Sequence, residues 1–185
     1  MIKIIFKKGQ GLGNQLWLFC SAKSIAEKLK VDLQIINYQN FKGIDFLKLD
    51  CNNYFENNYE DYQNIKENIF FERSYYDREL EYLVTSYDER VLYINKDTIL
   101  EGNFQSEDYF FGNSKKIKSY IKLKNHYKEH FKIPKDVCIL NIRGGEYKRH
   151  RKFILPKSYW ENGINNYKKK FGIDKFLIVT DDYKY

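Results

Sequence analysis

Apolar positions fall into two short cycles separated by a long, poorly patterned middle. Residues 2–6 are a brief unbroken apolar run, the mark of a strand buried in a parallel sheet. Residues 7–13 carry three glycines and read as a turn, and Asn14 suits the N-cap of a following helix. Leu16, Phe19, Ala22, Ile25, Ala26 and Leu29 then recur at helical spacing, and residues 31–36 give a second strand. Strand, helix and strand over this length make a βαβ unit, which is right-handed almost without exception. Residues 37–90 mix aromatic, acidic and Asn positions without a sustained period, so short helices and loops are predicted there. Residues 98–104 read as a strand. Ser106 then caps a helix with Glu107 and Asp108 in its first turn, where the macrodipole favours negative charge. Helical character is predicted to run on to about residue 131, with a break near Gly112.

A second cycle opens with a strand over residues 137–143 and a basic loop over 144–155. Pro156 starts a helix whose buried stripe is Trp160, Ile164, Tyr167 and Phe171, and Gly172 suits its end. Residues 175–180 form the next strand and lead into Asp181 and Asp182. Two strands are too few for an independent sheet. The pattern therefore predicts an α/β fold of two domains. The first spans residues 1–133. The second, incomplete, spans 134–185, with the boundary falling near 132–136 at Pro134.

Composition narrows the class. Of 185 residues, 43% are hydrophobic and 18% aromatic, which excludes intrinsic disorder. Cys20, Cys51 and Cys138 have neither a disulfide-framework pattern nor metal-ligand spacing, and Cys20 and Cys138 read as inert core residues. His126, His130 and His150 lack partners at catalytic spacing and read as surface residues. No apolar run reaches the roughly 18 residues of a membrane span, and the first residues lack the features of a signal peptide. Free thiols without an export signal point to a reducing cytosol.

The net charge of +7 hides a polarity: residues 115–152 hold 13 Lys/Arg against 3 Asp/Glu, whereas 45–110 hold 6 against 16. A basic stretch of this kind suits an anion such as phosphate, and charge alone leaves nucleotide, nucleic acid and membrane surface open.

Three segments carry candidate chemistry. Gly9-Gln10-Gly11-Leu12-Gly13-Asn14-Gln15-Leu16 joins a strand to a helix start, whose unpaired N–H groups suit an anion. Leu16 stands where a dinucleotide fingerprint has its third glycine, and no Walker Lys-Ser/Thr follows. Serving only as a tight connecting turn is an equal reading. Asn141-Ile142-Arg143-Gly144-Gly145-Glu146-Tyr147 lies at a strand's carboxyl end, where open α/β sheets place ligands. Arg143 suits bidentate phosphate binding, and the paired glycines allow close backbone approach. Lys148, Arg149, Arg151 and Lys152 follow, and a solvated basic loop is the plainer reading. Thr180-Asp181-Asp182 ends the next strand, where the carboxylates either cap a helix or hold a sugar, base edge or cation.

Together these segments resemble the family 11 glycosyltransferases, the α-1,2-fucosyltransferases. The GxGNQ opening appears as Gly11-Leu12-Gly13-Asn14-Gln15. A YFQSEKYF-like segment appears as Asn103-Phe104-Gln105-Ser106-Glu107-Asp108-Tyr109-Phe110, and the donor motif HxRRxDY as Asn141 to Tyr147. Leu155-Pro156, Tyr159 and Thr180-Asp181-Asp182 follow in the family's order. The resemblance implies two facing Rossmann-like domains (GT-B-like), the first on the acceptor side and the second binding GDP-fucose. A galactose-containing glycan is the implied acceptor, with inversion at the anomeric carbon and no bound metal.

The resemblance puts Arg143 on the diphosphate and Asn14 on the diphosphate or fucose. Glu146 either takes the acceptor proton or orients Arg143. Gly11, Gly13, Gln15, Asn141, Gly144, Gly145, Asp181 and Asp182 complete the implied donor site. Departures are Asn141 for the family's His, Gly144 for its second Arg and Glu146 for its Asp. The family continues past the Asp pair into a Ser/Trp-rich donor segment that this sequence lacks, so a truncated chain is implied.

The implied setting is a bacterial surface-glycan pathway, in the cytoplasm or peripherally at the inner membrane face. Two other readings remain. One is a non-catalytic nucleotide- or glycan-binding remnant. The other is a nucleic-acid binder using Tyr120, Tyr127 and Phe131, against which stands the absence of a recognised nucleic-acid module.

Overall fold

The computed structural model describes residues 1–55, 68–79, 82–130, 134, 136–145, 148 and 154–182. It divides into two units, Met1–Lys128 and Glu129–Tyr185.

In the first unit, β1 (Ile2–Ile5) sits at the centre of a five-stranded sheet. Its neighbours are β2 (Leu33–Ile36) and β8 (Thr98–Glu101), with β4 (Asn53–Phe55) beyond β2 and β5 (Asn68–Phe71) beyond β8. Every pairing is parallel, and the register runs from Ile2 opposite Leu33 to Ile5 opposite Ile36. The connection from β1 to β2 is α1 (Leu12–Leu29), as the helical spacing predicts. Phe19, Ala22, Ile25 and Ala26 of its stripe are buried with Ile4, Phe6 and Ile35 in one core. Burial of Phe19 or Ile25 contributes about 1.5–3 kcal/mol each. Ile5, Ile36 and Ile99, which alternate with that set along their strands, form a second cluster. This is the expected α/β class with a Rossmann-like parallel sheet.

Four local expectations need correction. The N-cap of α1 is Gly11, in extended conformation and without a side-chain cap, so Asn14 lies inside the first turn. The strand over 98–104 stops at Glu101. Phe104 is left-handed at φ 50°, which breaks the extended backbone, and a Cβ on Gly102 would meet Glu72 Cβ at 2.5 Å, so only glycine fits at the turn.

The middle region holds strands as well as turns. β3 (Leu47–Leu49) pairs antiparallel with β9 (Ile121–Leu123), and β6 (Ser74–Asp77) pairs antiparallel with β7 (Tyr82–Thr85). Strands of three or four residues are too short to display a period of two. Finally, no long helix follows Ser106. A 3-10 turn over Glu107–Phe110 ends at left-handed Phe111, α2 (Ser114–Tyr120) runs straight into β9, and α3 (Asn125–His130) follows.

The second unit has β10 (Val137–Ile142) parallel to β11 (Lys175–Thr180), in register from Val137 opposite Lys175 to Ile142 opposite Thr180. They are joined by α4 (Lys157–Phe171), which begins after Pro156 and ends on left-handed Gly172. No residue of α4 is buried, and Tyr167 and Phe171 are exposed. The predicted stripe is therefore correct in spacing but wrong in burial, because one helix on two strands has too little opposing surface. Ile139, Leu177 and Val179, on one face of this pair of strands, are also exposed. Among the described residues, no helix is long and apolar enough to cross a membrane.

Candidate functional site

In the first unit the carboxyl ends of β1 and β8 bring two of the motif segments together. Gly9 takes φ 82° in the turn after β1, a conformation that L side chains rarely adopt. The ideal Cβ positions of Gly11 and Gly13 meet nothing within 4 Å, so the protein's own packing does not demand glycine there. Asn14 is exposed on the first turn of α1, and its Oδ1 accepts a 2.9 Å hydrogen bond from Gln105 Nε2. Residues 91 apart in sequence thus meet at one sheet edge. Gln15 is used internally. It is buried, donates to the Asn40 carbonyl at 2.8 Å and accepts from the Lys42 amide at 2.9 Å, holding the chain that leaves β2.

The turn after β8 is held by groups that the sequence reading did not single out. Glu72 Oε2 accepts the amides of Asn103 and Phe104, both at 2.8 Å, and Ser21 Oγ donates to the Phe104 carbonyl at 2.8 Å. Left-handed conformation at a buried Phe costs about 1–3 kcal/mol. Contacts on both sides of Phe104 keep it there. The Tyr109 hydroxyl donates to Glu72 Oε1 at 3.0 Å and accepts the Asp88 amide at 3.1 Å. Burial pushes the Glu72 carboxyl above its ordinary pKa, against the opposing bonds from Phe104, Tyr109 and Asn103. Asp88 is held below its ordinary value, chiefly by Arg90, whose guanidinium pairs with it. In sequence, Glu72 is an unremarkable acid in the unpatterned middle, and no spacing marks it.

A cavity of about 400 Å³ opens at this edge. Lys8, Gln10 and Asn14 line it from the β1 and α1 side, Glu72 and Asn103 from just past the ends of β5 and β8, and Ser74, Leu83 and Thr85 from the β6–β7 hairpin. Lys7 and Glu101 also line it and form an ion pair with each other.

In the second unit the other two motif segments meet in the same manner. Arg143 follows β10, is half-exposed, and its Nε lies 3.5 Å from Asp181 Oδ2 at the end of β11. Asp181 Oδ1 accepts the amides of Gly144 at 2.9 Å and Gly145 at 3.1 Å. Those two amides, more than Arg143, hold the Asp181 carboxyl below the ordinary aspartate pKa. A Cβ on Gly145 would meet Asp181 Oδ2 at 2.9 Å, so a side chain there would push the carboxylate aside. Lys148 pairs with Asp182, whose amide donates to Thr180 Oγ1 at 3.0 Å. Asn141 is exposed near the end of β10. Glu146, with Tyr147, Arg149, Arg151 and Lys152, lies outside the described residues. A second cavity, of about 520 Å³, separates α4 from Cys138, Leu140 and Phe176, and Trp160 Nε1 is buried beside it without a partner.

Other candidates fall away from these sites. Cys20 is buried and its thiol is pushed up to about 12, in keeping with an inert core residue, whereas Cys138 is only half-buried. His126 is exposed and packs on Tyr127, and the His130 and His150 side chains lie outside the described residues. Tyr120 is buried with its hydroxyl on Glu27 at 2.7 Å, so it offers no stacking face to a base, and Phe131 lies outside the described residues. Among the described residues, no cluster of three or more His, Cys, Asp or Glu is arranged to hold a metal ion.

No protein-family model and no curated protein sequence matches the chain. Its fold is similar to solved structures of NodZ alpha-1,6-fucosyltransferase. One, soaked with GDP-fucose, is 15% identical at TM-score 0.46. Another, of NodZ from Bradyrhizobium, is 14% identical at TM-score 0.45. Each likeness covers 98% of this chain and 72% of the solved one.

Proposed function

We propose that this chain is a fucosyltransferase that moves L-fucose from GDP-fucose to a galactose hydroxyl of a glycan in α-1,2 linkage, with inversion. One observation carries the reading. The four segments that follow the family 11 order pair up at the carboxyl ends of parallel strands, Asn14 with Gln105 and Arg143 to Gly145 with Asp181. Such strand ends are where open α/β sheets hold nucleotides and sugars.

In this reading Arg143 binds the diphosphate and stabilises the charge that collects on GDP as the glycosidic bond breaks. Gly144 and Gly145 keep the backbone close, with Asp181 fixing their loop. Asn14 is proposed to contact the diphosphate or fucose, Gly11 and Gly13 belong to the proposed donor site, and Glu146 is the carboxylate proposed to take the acceptor proton. Asn141 and Asp182 flank the donor site. The enzyme works in the cytoplasm or peripherally at the inner membrane, without a metal.

The experiment is transfer from GDP-[¹⁴C]fucose to lactose. Arg143→Ala is expected to lower kcat/KM by about 10²–10³-fold, the cost of losing one preorganised charge partner. Turnover of that variant at the parent rate contradicts the assignment.

A second reading, GDP binding without transfer, is favoured by one feature. Gly144 stands where the family carries a second Arg, and its amide is already engaged by Asp181. GDP binding by calorimetry with no detectable transfer to lactose selects it.

A further inference from the structure

The segment that follows β8 is tied to one face of α1 at three points. Asn14, Trp17 and Ser21 stand at positions i, i+3 and i+7 of that helix, the spacing of a single stripe. Asn14 Oδ1 accepts from Gln105 Nε2, Trp17 stacks on Phe110 with ring centroids 5.4 Å apart, and Ser21 Oγ donates to the Phe104 carbonyl. Phe104 is fully buried, and its amide is held from the other side by Glu72. Gln105, the next residue, is exposed. Its backbone is therefore set by a buried neighbour, while its side chain reaches over the surface to Asn14.

The direction of that bond decides what Asn14 offers. A carboxamide has one oxygen that accepts and one NH2 that donates. Gln105 takes the oxygen, so the Nδ2 hydrogens are what Asn14 has left for a ligand in the cavity it lines. Nδ2 thereby joins the amides of the first turn of α1, which have no acceptor within the helix. All of these groups are donors, and their common complement is an oxygen acceptor, on a phosphate or on a sugar.

We infer that Gln105 is a positioning residue, which orients the Asn14 carboxamide so that Nδ2, and not Oδ1, meets an oxygen of the donor substrate. The segment 103–110 thereby acts on the site through Asn14, without touching substrate itself. The inference rests on the glycosyltransferase reading above for the identity of the substrate, but the orientation of the carboxamide is testable without it.

The first measurement is ¹⁵N relaxation of the Asn14 side-chain NH2 in the full chain. The group is expected to be ordered in the parent and mobile in Gln105→Ala, and equal order in the two overturns the inference. The second measurement is transfer from GDP-[¹⁴C]fucose to lactose, with Gln105→Glu as the decisive variant. Glu has the length to keep the tether, but a carboxylate only accepts, so it draws Nδ2 to itself and turns Oδ1 outward. Gln105→Glu and Gln105→Ala are each expected to lower kcat about ten-fold with KM for lactose unchanged, and to add no further loss in an Asn14→Ala background. A purely structural tether predicts that Gln105→Glu keeps the parent rate. That result overturns the inference, as does an additive loss in the Asn14→Ala background. A parent chain that transfers no fucose removes the fucosyltransferase reading instead, and the relaxation result then decides the orientation by itself.

Discussion

The two units are written in the same grammar, strand, glycine-bearing turn, helix and strand, yet they use it differently. In Met1–Lys128 the turn after β1 leaves open space before Gly11 and Gly13. In Glu129–Tyr185 the turn after β10 is filled from within, because Asp181 has taken the amides of Gly144 and Gly145. The surroundings differ in the same sense. The first unit closes α1 over five parallel strands, and Phe19 and Ile25 reach zero exposure. In the second, no residue of α4 is buried. A glycine turn at a strand's carboxyl end is thus a position rather than a function. What occupies it depends on what the neighbouring strand's carboxylate takes. In the first unit Glu101 at the end of β8 pairs with Lys7, and in the second Asp181 after β11 takes the amides of Gly144 and Gly145.

Core truncation separates the two units most strongly. Phe19→Ala is expected to cost about 3–5 kcal/mol in urea unfolding, because it opens a cavity among fully buried neighbours. Leu177→Ala, at a position 47% exposed, is expected to cost under about 1 kcal/mol. Comparable losses at both sites would mean that the second unit buries its strands as fully as the first.

The two units also differ in the pH response of one carboxylate each. Burial raises Glu72, so its contribution is fully present below the unfolded glutamate pKa of about 4.3 and is lost as pH rises through the folded value. Asp181 is depressed, so its contribution is present above the unfolded aspartate pKa of about 3.9 and is lost as pH falls through the folded value. Denaturation followed from pH 3 to 7 is expected to show the upward cost vanish in Glu72→Gln. The acid-side loss is expected to vanish in Asp181→Asn. Identical profiles for the two variants and the parent would remove the distinction.

Asp181→Ala is further expected to speed hydrogen exchange at the Gly144 and Gly145 amides, which lose their acceptor. Unchanged exchange there would mean that another group can hold the turn.

The smallest effect on stability is expected at Gly13→Ala. The position lies in the first turn of α1 with nothing near a Cβ, so alanine is expected to be neutral or to add up to about 1 kcal/mol. Under the proposed function, transfer to lactose is nevertheless expected to fall, since Gly13 belongs to the proposed donor site. A variant both stable and fully active would make the glycine a connector only.

The regular parts of this fold were legible because their sequence signals are local. Residues 2–6, the 16–29 stripe and the 137–180 strand, helix and strand each declare their period within a few turns. What escaped depends on partners distant in sequence. Asn14 has the chemistry of an N-cap, but the chain enters the helix earlier at Gly11 and the side chain turns to Gln105. Glu72 gains its role from Asn103, Phe104 and Tyr109, at least 31 residues away. The β6–β7 hairpin had a usable signal. Ser74-Tyr75-Tyr76 and Leu83-Val84-Thr85 are β-rich runs either side of a short charged stretch, a pattern that reads as two paired strands. The stripe of α4 shows the opposite limit: period predicts which side chains face inward, but not whether enough surface faces them.

Calorimetric titration of GDP into the full chain shows whether Arg143 holds the diphosphate of a sugar nucleotide, as proposed. The parent is expected to bind, and Arg143→Ala is expected to weaken binding about 10- to 100-fold, the worth of a charge-assisted hydrogen-bonded pair. Equal affinity in the two proteins contradicts it.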